Sequence, residues 1–183
     1  MKTLSDLISG HSGNSRAIGA PGREWMTYDG LRKLSRDVNS SLRKAGIGSS
    51  DRVAIVLPNG PEMAAAFVTI AQSATTAPLN PAYREEEFAF YLEDLKARAL
   101  VVAAGYDGPA LAVAERFDMI VFELTSLEPA GNFTLSANVT GEATAAVPGA
   151  DDIALILHTS GTTSRPKIVP LLQSNVVASA QNI

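Results

Sequence analysis

Arg52-Val53-Ala54-Ile55-Val56-Leu57-Pro58-Asn59-Gly60-Pro61 is the run that decides the fold of this chain. From Val53 to Leu57 every residue is apolar, so no position turns toward water, the pattern of a strand buried on both faces. Pro58, Asn59 and Gly60 break the run. Pro61 suits the first turn of a helix, where its missing N–H costs nothing, and Met63, Ala66, Phe67 and Ile70 then recur on one helical face. The alternation continues downstream. Thr75 to Leu79 reads as a second short strand, stopped by Asn80 and Pro81. Arg84 to Ala97 reads as a helix with Phe88, Tyr91, Leu92 and Leu95 inward, and with Glu85, Glu86 and Glu87 complementing the dipole of its first turn. Ala99 to Ala104 is a third strand, Gly108 to Phe117 a helix and Met119 to Phe122 a fourth strand. Strands buried on both faces, alternating with helices, predict an α/β fold: a mainly parallel sheet with helices on both faces, a Rossmann-like three-layer arrangement with right-handed crossovers.

Working outward, Thr27 is placed to cap a helix whose Leu31, Leu34, Val38, Leu42 and Ala45 share a face, and Gly46 follows where a helix end favours positive φ. On the other side, residues 125–150 lose all period and are rich in Gly, Pro, Asn, Ser and Thr. They read as an irregular surface connection open to proteolysis, with a strand around Phe133 to Val139. Ile153 to Leu157 resumes as a strong strand, and a helix begins at Leu172 with Val176, Val177 and Ala180. The expected organisation is therefore a βα-repeat region over 1–124, a connection over 125–150, and a strand, loop and helix over 151–183, with no internal repeat.

Composition narrows the function classes. The 183 residues carry 15 Lys plus Arg against 19 Asp plus Glu, a net charge of −4, which argues against a nucleic-acid partner reached through clustered cations. With 46% apolar residues there is material for a sizeable core. No apolar run approaches the ~18 residues of a membrane span, and the first residues lack the apolar core of a secretory signal. The absence of cysteine removes disulfide scaffolds, thiolate metal sites and thiol nucleophiles. No metal site is expected from side chains: His11 and His158 stand too far apart to form a ligand set, and Glu85 to Glu87 serve the helix dipole. Glycosylation-type triplets at Asn39, Asn132 and Asn138 read as chance in a Ser/Thr-rich chain. His158 is expected to be a hydrogen-bonded residue at a strand end. His11 has no evident role, and Trp25 is expected to be a packing anchor.

The chemistry-bearing segment follows the last strand: Thr159-Ser160-Gly161-Thr162-Thr163-Ser164-Arg165-Pro166-Lys167. Five of these nine side chains bear hydroxyls, Gly161 lets the backbone approach a ligand closely, and Lys167 supplies a compact positive charge. The set suits a polyanion, since hydroxyls and amides donate to phosphate oxygens in many orientations. It is not a Walker loop, because the second glycine and the hydroxyl after the lysine are missing. Gly46-Ile47-Gly48 is no dinucleotide fingerprint either, for it lacks the third glycine and precedes a strand.

Thr159-Ser160-Gly161-Thr162-Thr163 followed by Pro166-Lys167 resembles the phosphate-loop signature of the adenylate-forming superfamily, which includes acyl- and aryl-CoA synthetases, peptide-synthetase adenylation domains and luciferases. Thr27-Tyr28 with Leu31, Asp51-Arg52-Val53-Ala54 with Leu57-Pro58-Asn59, and Ala77-Pro78-Leu79-Asn80-Pro81 resemble further blocks, so the likeness covers residues 16 to 183. Within the family, Thr162-Thr163-Ser164-Arg165-Pro166-Lys167, Val169-Pro170-Leu171 and the Ala74 to Asn80 stretch are most similar to the oxalyl-CoA synthetase group. The resemblance implies that Thr159, Ser160, Gly161, Thr162, Thr163, Ser164 and Lys167 bind the ATP phosphates. It implies ATP, Mg2+ and coenzyme A as cofactor and co-substrates, a small carboxylic acid such as oxalate as substrate, and transfer of an acyl-adenylate to a CoA thioester. It implies a cytoplasmic enzyme, or a peroxisomal one in a eukaryote.

Arg165 is open to two readings, steering ATP or simple solvation. Two positions depart from the family pattern: Ser164 stands where most members have glycine, although the oxalate-like group also has serine there, and Ile168 stands where glycine is usual after the lysine. An extended backbone at Ile168, at the start of a strand, would accommodate a β-branched residue. In the resembled family the acyl pocket, adenine site, hinge and catalytic lysine lie beyond Ile183, so no catalytic residue is assigned. The expectation is the N-terminal part of a large AMP-binding domain, inactive alone, with an exposed apolar patch or self-association. The rival reading is a stand-alone nucleotide- or phosphate-binding module without ligase activity.

Overall fold

Residues 2–142, 147–159 and 166–182 are described in a computed structural model of the chain. Along the chain run α1 (Leu4–Ser9), β1 (Arg16–Ile18), β2 (Met26–Thr27), α2 (Tyr28–Lys44), β3 (Arg52–Val56), α3 (Pro61–Ile70), β4 (Thr75–Pro78), α4 (Glu85–Leu95), β5 (Ala99–Ala103), α5 (Pro109–Arg116), β6 (Ile120–Leu127), β7 (Asn132–Ala137), β8 (Ile153–Thr159), β9 (Lys167–Leu172) and α6 (Gln173–Gln181). A seven-stranded sheet has the order β7-β6-β5-β3-β4-β8-β9. Its five inner strands are parallel, and β7 and β9 close the two edges antiparallel to their neighbours.

Local rules account for the elements. The Thr27 hydroxyl accepts from Gly30 N at 3.2 Å to cap α2, whose buried face is Leu31, Leu34, Val38 and Leu42. Gly46 has φ +81° just beyond it, a conformation that costs other residues free energy. Pro61 occupies the first turn of α3. In α4 the Glu87 carboxylate accepts from Arg84 N at 2.9 Å, so one of the three glutamates is committed to the helix end.

The sheet is covered on both sides. One apolar cluster joins Leu31, Leu34, Val38 and Leu42 of α2 and Ala66 and Ile70 of α3 to Val53, Ile55 and Val101. The opposite cluster joins Phe88, Leu92 and Leu95 of α4 and Val113 of α5 to Ala54, Val56, Leu100 and Val102. Successive residues of β3 and β5 thus serve opposite cores, as the unbroken apolar runs predict.

Three features depart from the expectations. The fourth strand extends beyond Phe122 to Leu127 and forms an antiparallel hairpin with β7, so the expected irregular stretch begins with ordered sheet. Its signal is a period of two: Phe122, Leu124, Phe133 and Leu135 are buried while Glu123, Thr125 and Thr134 are exposed. Threonine and serine read as loop composition, but they suit the solvated face of an edge strand. The turn closes on Gly131 at φ +80°, where a Cβ would stand 3.0 Å from the Pro61 carbonyl oxygen. Ahead of α2, α1 and the β1–β2 hairpin were not anticipated. They give His11 a place, its ring stacked on Tyr28 with centroids 4.3 Å apart.

Candidate functional site

The β8–β9 hairpin carries the segment that the sequence singles out. Its ladder pairs Leu157 with Val169, His158 with Ile168 and Thr159 with Lys167. Directly opposed residues in an antiparallel pair project from the same face, with Cβ atoms about 4.5–5.5 Å apart. The Thr159 and Lys167 side chains therefore project from the same face at the loop end of the hairpin, both exposed. Ser160, Gly161, Thr162, Thr163 and Ser164, with Arg165, lie outside the described residues. Ile168 lies in extended β9 and is not among the described non-glycine residues of positive φ.

Among the described residues β9 pairs only with β8, and the hairpin has further attachments. The parallel β4–β8 ladder contributes a single register pair, Thr76 with Leu155. Hydroxyls supplement it: Thr75 Oγ1 donates to Ile153 O at 2.9 Å and Thr76 Oγ1 to Ala154 O at 2.7 Å. At the base of α6, Gln173 is 1% exposed; its Nε2 donates to Ala71 O at 2.6 Å and its Oε1 accepts from Leu4 N at 3.1 Å. At the loop end, His158 Nε2 lies 3.1 Å from Asp94 Oδ2 of α4, and the ring meets Tyr91 edge-on at 4.7 Å. Tyr91 stacks on Tyr83, whose hydroxyl is pushed up to about 12 by burial and then by its hydrogen bond with Tyr91. His158 is the hydrogen-bonded strand-end residue that was expected.

On the other face of the hairpin, Met63 and Phe67 of α3, Pro78, Leu155 and Leu157 line a cleft of about 320 Å³. Strand alternation puts Leu155, Leu157 and Thr159 on one face, so the apolar cleft leads toward the Thr159–Lys167 rung. Leu157 is 39% exposed there, and the other large exposed apolar side chains, including Trp25, Phe117 and Val147, lie outside the cleft lining.

Other candidates resolve into structural roles. Trp25 is half exposed; a Cβ on Gly19 would meet its ring at 2.5 Å, and the Arg16 guanidinium lies over it at 5.3 Å. Among the described residues no three histidine or carboxylate side chains converge on a metal position. Glu62 at the start of α3 accepts from Arg23 Nη1 at 2.6 Å and Ser126 Oγ at 2.8 Å, tying the N-terminal hairpin and the β6–β7 hairpin to α3. Burial pushes this carboxyl up, but those hydrogen bonds outweigh it and hold it below its ordinary value. Among the described residues no helix is long and apolar enough to cross a membrane.

Asp94, Tyr91, Thr75, Thr76 and Gln173 were missed as supports of the site. Paired threonines inside a buried strand were a usable signal, since a buried hydroxyl needs a partner. Asp94 and Gln173 sit in ordinary helical contexts and offered none.

The family model described as AMP-binding enzyme matches residues 9–183. The chain is 38% identical over 98% of its length to an oxalate–CoA ligase of Arabidopsis thaliana, covering 37% of that protein. It is also 38% identical over 79% of its length to an oxalate–CoA ligase of Saccharomyces cerevisiae, covering 31% of it. In fold it is similar to apo MatB from Rhodopseudomonas palustris, with a TM-score of 0.80 at 23% identity over 98% of this chain and 36% of that one. The chain thus spans little more than a third of the length of the relatives it matches.

Proposed function

The chain belongs to the AMP-binding enzyme family, and from that premise we propose that it forms the phosphate-holding part of an AMP-forming acid–coenzyme A ligase acting on a small acid of the oxalate type. The observation that carries the proposal is the Thr159–Lys167 rung, a hydroxyl-bearing and a cationic residue paired at the loop end of a hairpin. The residues between them include Ser160, Gly161, Thr162, Thr163 and Ser164. A donor-rich, cationic strand end suits the β- and γ-phosphates of ATP.

In this reading the acid's carboxylate oxygen bonds to the α-phosphorus, the α–β phosphoanhydride bond breaks, and pyrophosphate leaves. Coenzyme A's thiol then displaces AMP from the acyl-adenylate to give the thioester. The work of these residues is positioning and charge neutralisation: Lys167 offsets charge building on the departing pyrophosphate, and the hydroxyls fix its orientation. A magnesium ion bound to ATP would add to the charge neutralisation that Lys167 supplies. Oxalate as the acid rests on the two oxalate–CoA ligases at 38% identity.

The test is ATP–pyrophosphate exchange by the ligase carrying this chain, with a panel of small mono- and dicarboxylic acids. Exchange dependent on oxalate, with oxalyl-CoA formed when coenzyme A is added, is the expected result. Exchange with another acid alone overturns the oxalate assignment, and exchange with none overturns the ligase reading in favour of a phosphate-binding module.

A further inference from the structure

We propose that the His158–Asp94 pair is a positioning device for the phosphate-holding rung, a role that rests on the ligase reading above and concerns neither residue in contact with substrate. The side chain of His158 is 6% exposed, yet Asp94 is 40% exposed and borders solvent. A carboxylate only accepts, so Nε2 carries the proton and donates across 3.1 Å. The contact spans 64 residues of sequence, from the last turn of the α4 helix to the penultimate residue of β8.

Its place in the hairpin gives it leverage. Among the described residues β8 makes one parallel register pair, Thr76 with Leu155, and β9 pairs only with β8. Ile156 and Ile168 pack on the α4-side core, but apolar packing is non-directional and permits sliding along the strand. The His158–Asp94 hydrogen bond, together with the edge-on contact with Tyr91, is directional. It fixes the His158–Ile168 rung, and the next rung outward is Thr159–Lys167. A shift of about 1 Å in the placement of a charge-neutralising group is costly to a reaction that depends on positioning.

The test uses the full-length ligase with three variants. His158→Phe keeps a ring against Tyr91 but cannot donate, Asp94→Leu removes the acceptor, and His158→Gln restores a donor of similar reach. The expected result is a KM for ATP raised about five- to twentyfold in His158→Phe and Asp94→Leu, with KM for the acid changed less than about twofold. The double variant should be no worse than either single, and His158→Gln should recover most of the loss, as one shared bond requires. An unchanged KM for ATP in both variants overturns the proposal. So does a parallel rise for ATP and acid with a melting point lowered by more than about 4 °C, which marks a merely structural role. If the wild type exchanges pyrophosphate with no acid, the functional reading fails separately, and amide exchange at residues 158, 159, 167 and 168 still decides the positioning role. Exchange at least tenfold faster in His158→Phe upholds it, and equal rates overturn it.

Discussion

Replacing Gln173 with leucine should detach the base of α6 from the rest of the fold. The Gln173 side chain is 1% exposed and is spent on two backbone groups, the Ala71 carbonyl at 2.6 Å and the Leu4 amide at 3.1 Å. Leucine is close in volume, so the change leaves no large cavity and isolates the hydrogen bonds. Each backbone group would be left buried and unpaired at about 1–3 kcal/mol, giving roughly 2–6 kcal/mol for both. That is a large part of the 5–15 kcal/mol by which domains are ordinarily stable. Amide exchange at Leu4 is the direct assay, because its own N–H is the donor. Since about 1.4 kcal/mol corresponds to a factor of ten, the Leu4 amide should exchange at least tenfold faster in Gln173→Leu, with lesser change in β3 and β5. Wild-type protection at Leu4, with stability lowered by less than about 0.5 kcal/mol, would refute the argument that buried backbone groups here need this partner.

Three further outcomes follow from the same contacts. Gly131→Ala should cost about 1–3 kcal/mol, read as a lowered melting temperature, because a Cβ at φ +80° would meet the Pro61 oxygen at 3.0 Å and the Ile18 methyl at 2.9 Å. Glu62→Gln should lower thermal stability at neutral pH by loosening the Arg23 and Ser126 contacts. Since hydrogen bonding holds the folded carboxyl below its ordinary 4.5, its stabilisation is present above that value and is lost as pH falls through the folded value. The gap in melting temperature between wild type and variant should therefore close on acidification, and a gap equally wide at pH ~3 and pH ~7 contradicts the assignment. Lys167→Met should raise KM for ATP about tenfold or more while leaving the melting temperature within about 2 °C, since the side chain is exposed. Unchanged ATP kinetics would remove Lys167 from the phosphate site.

Much of this architecture is readable locally. Val53 to Leu57 has no polar position, so its strand had to be covered on both faces, and two opposed cores lie against it. Thr27, Gly46 and Pro61 mark helix ends because caps depend on a few neighbouring residues. The β6–β7 hairpin was less legible because its outward residues have the composition of a loop, and only the period of its inward ones betrays it.

The sequence by itself determined the α/β class, the strand that leads to the segment from Thr159 to Lys167, and the hydroxyl, glycine and lysine composition of that segment. Each of these is carried by residues within a few positions of one another. Tertiary structure alone decided what holds that segment in place. Asp94 reaches His158 across 64 residues, and Gln173 reaches Ala71 across 102 and Leu4 across 169. Such contacts follow no helical or strand period, because the chain's path through the sheet sets them. The strand order puts β8 between β4 and β9, and Asp94 meets the hairpin only because that path brings α4 beside it.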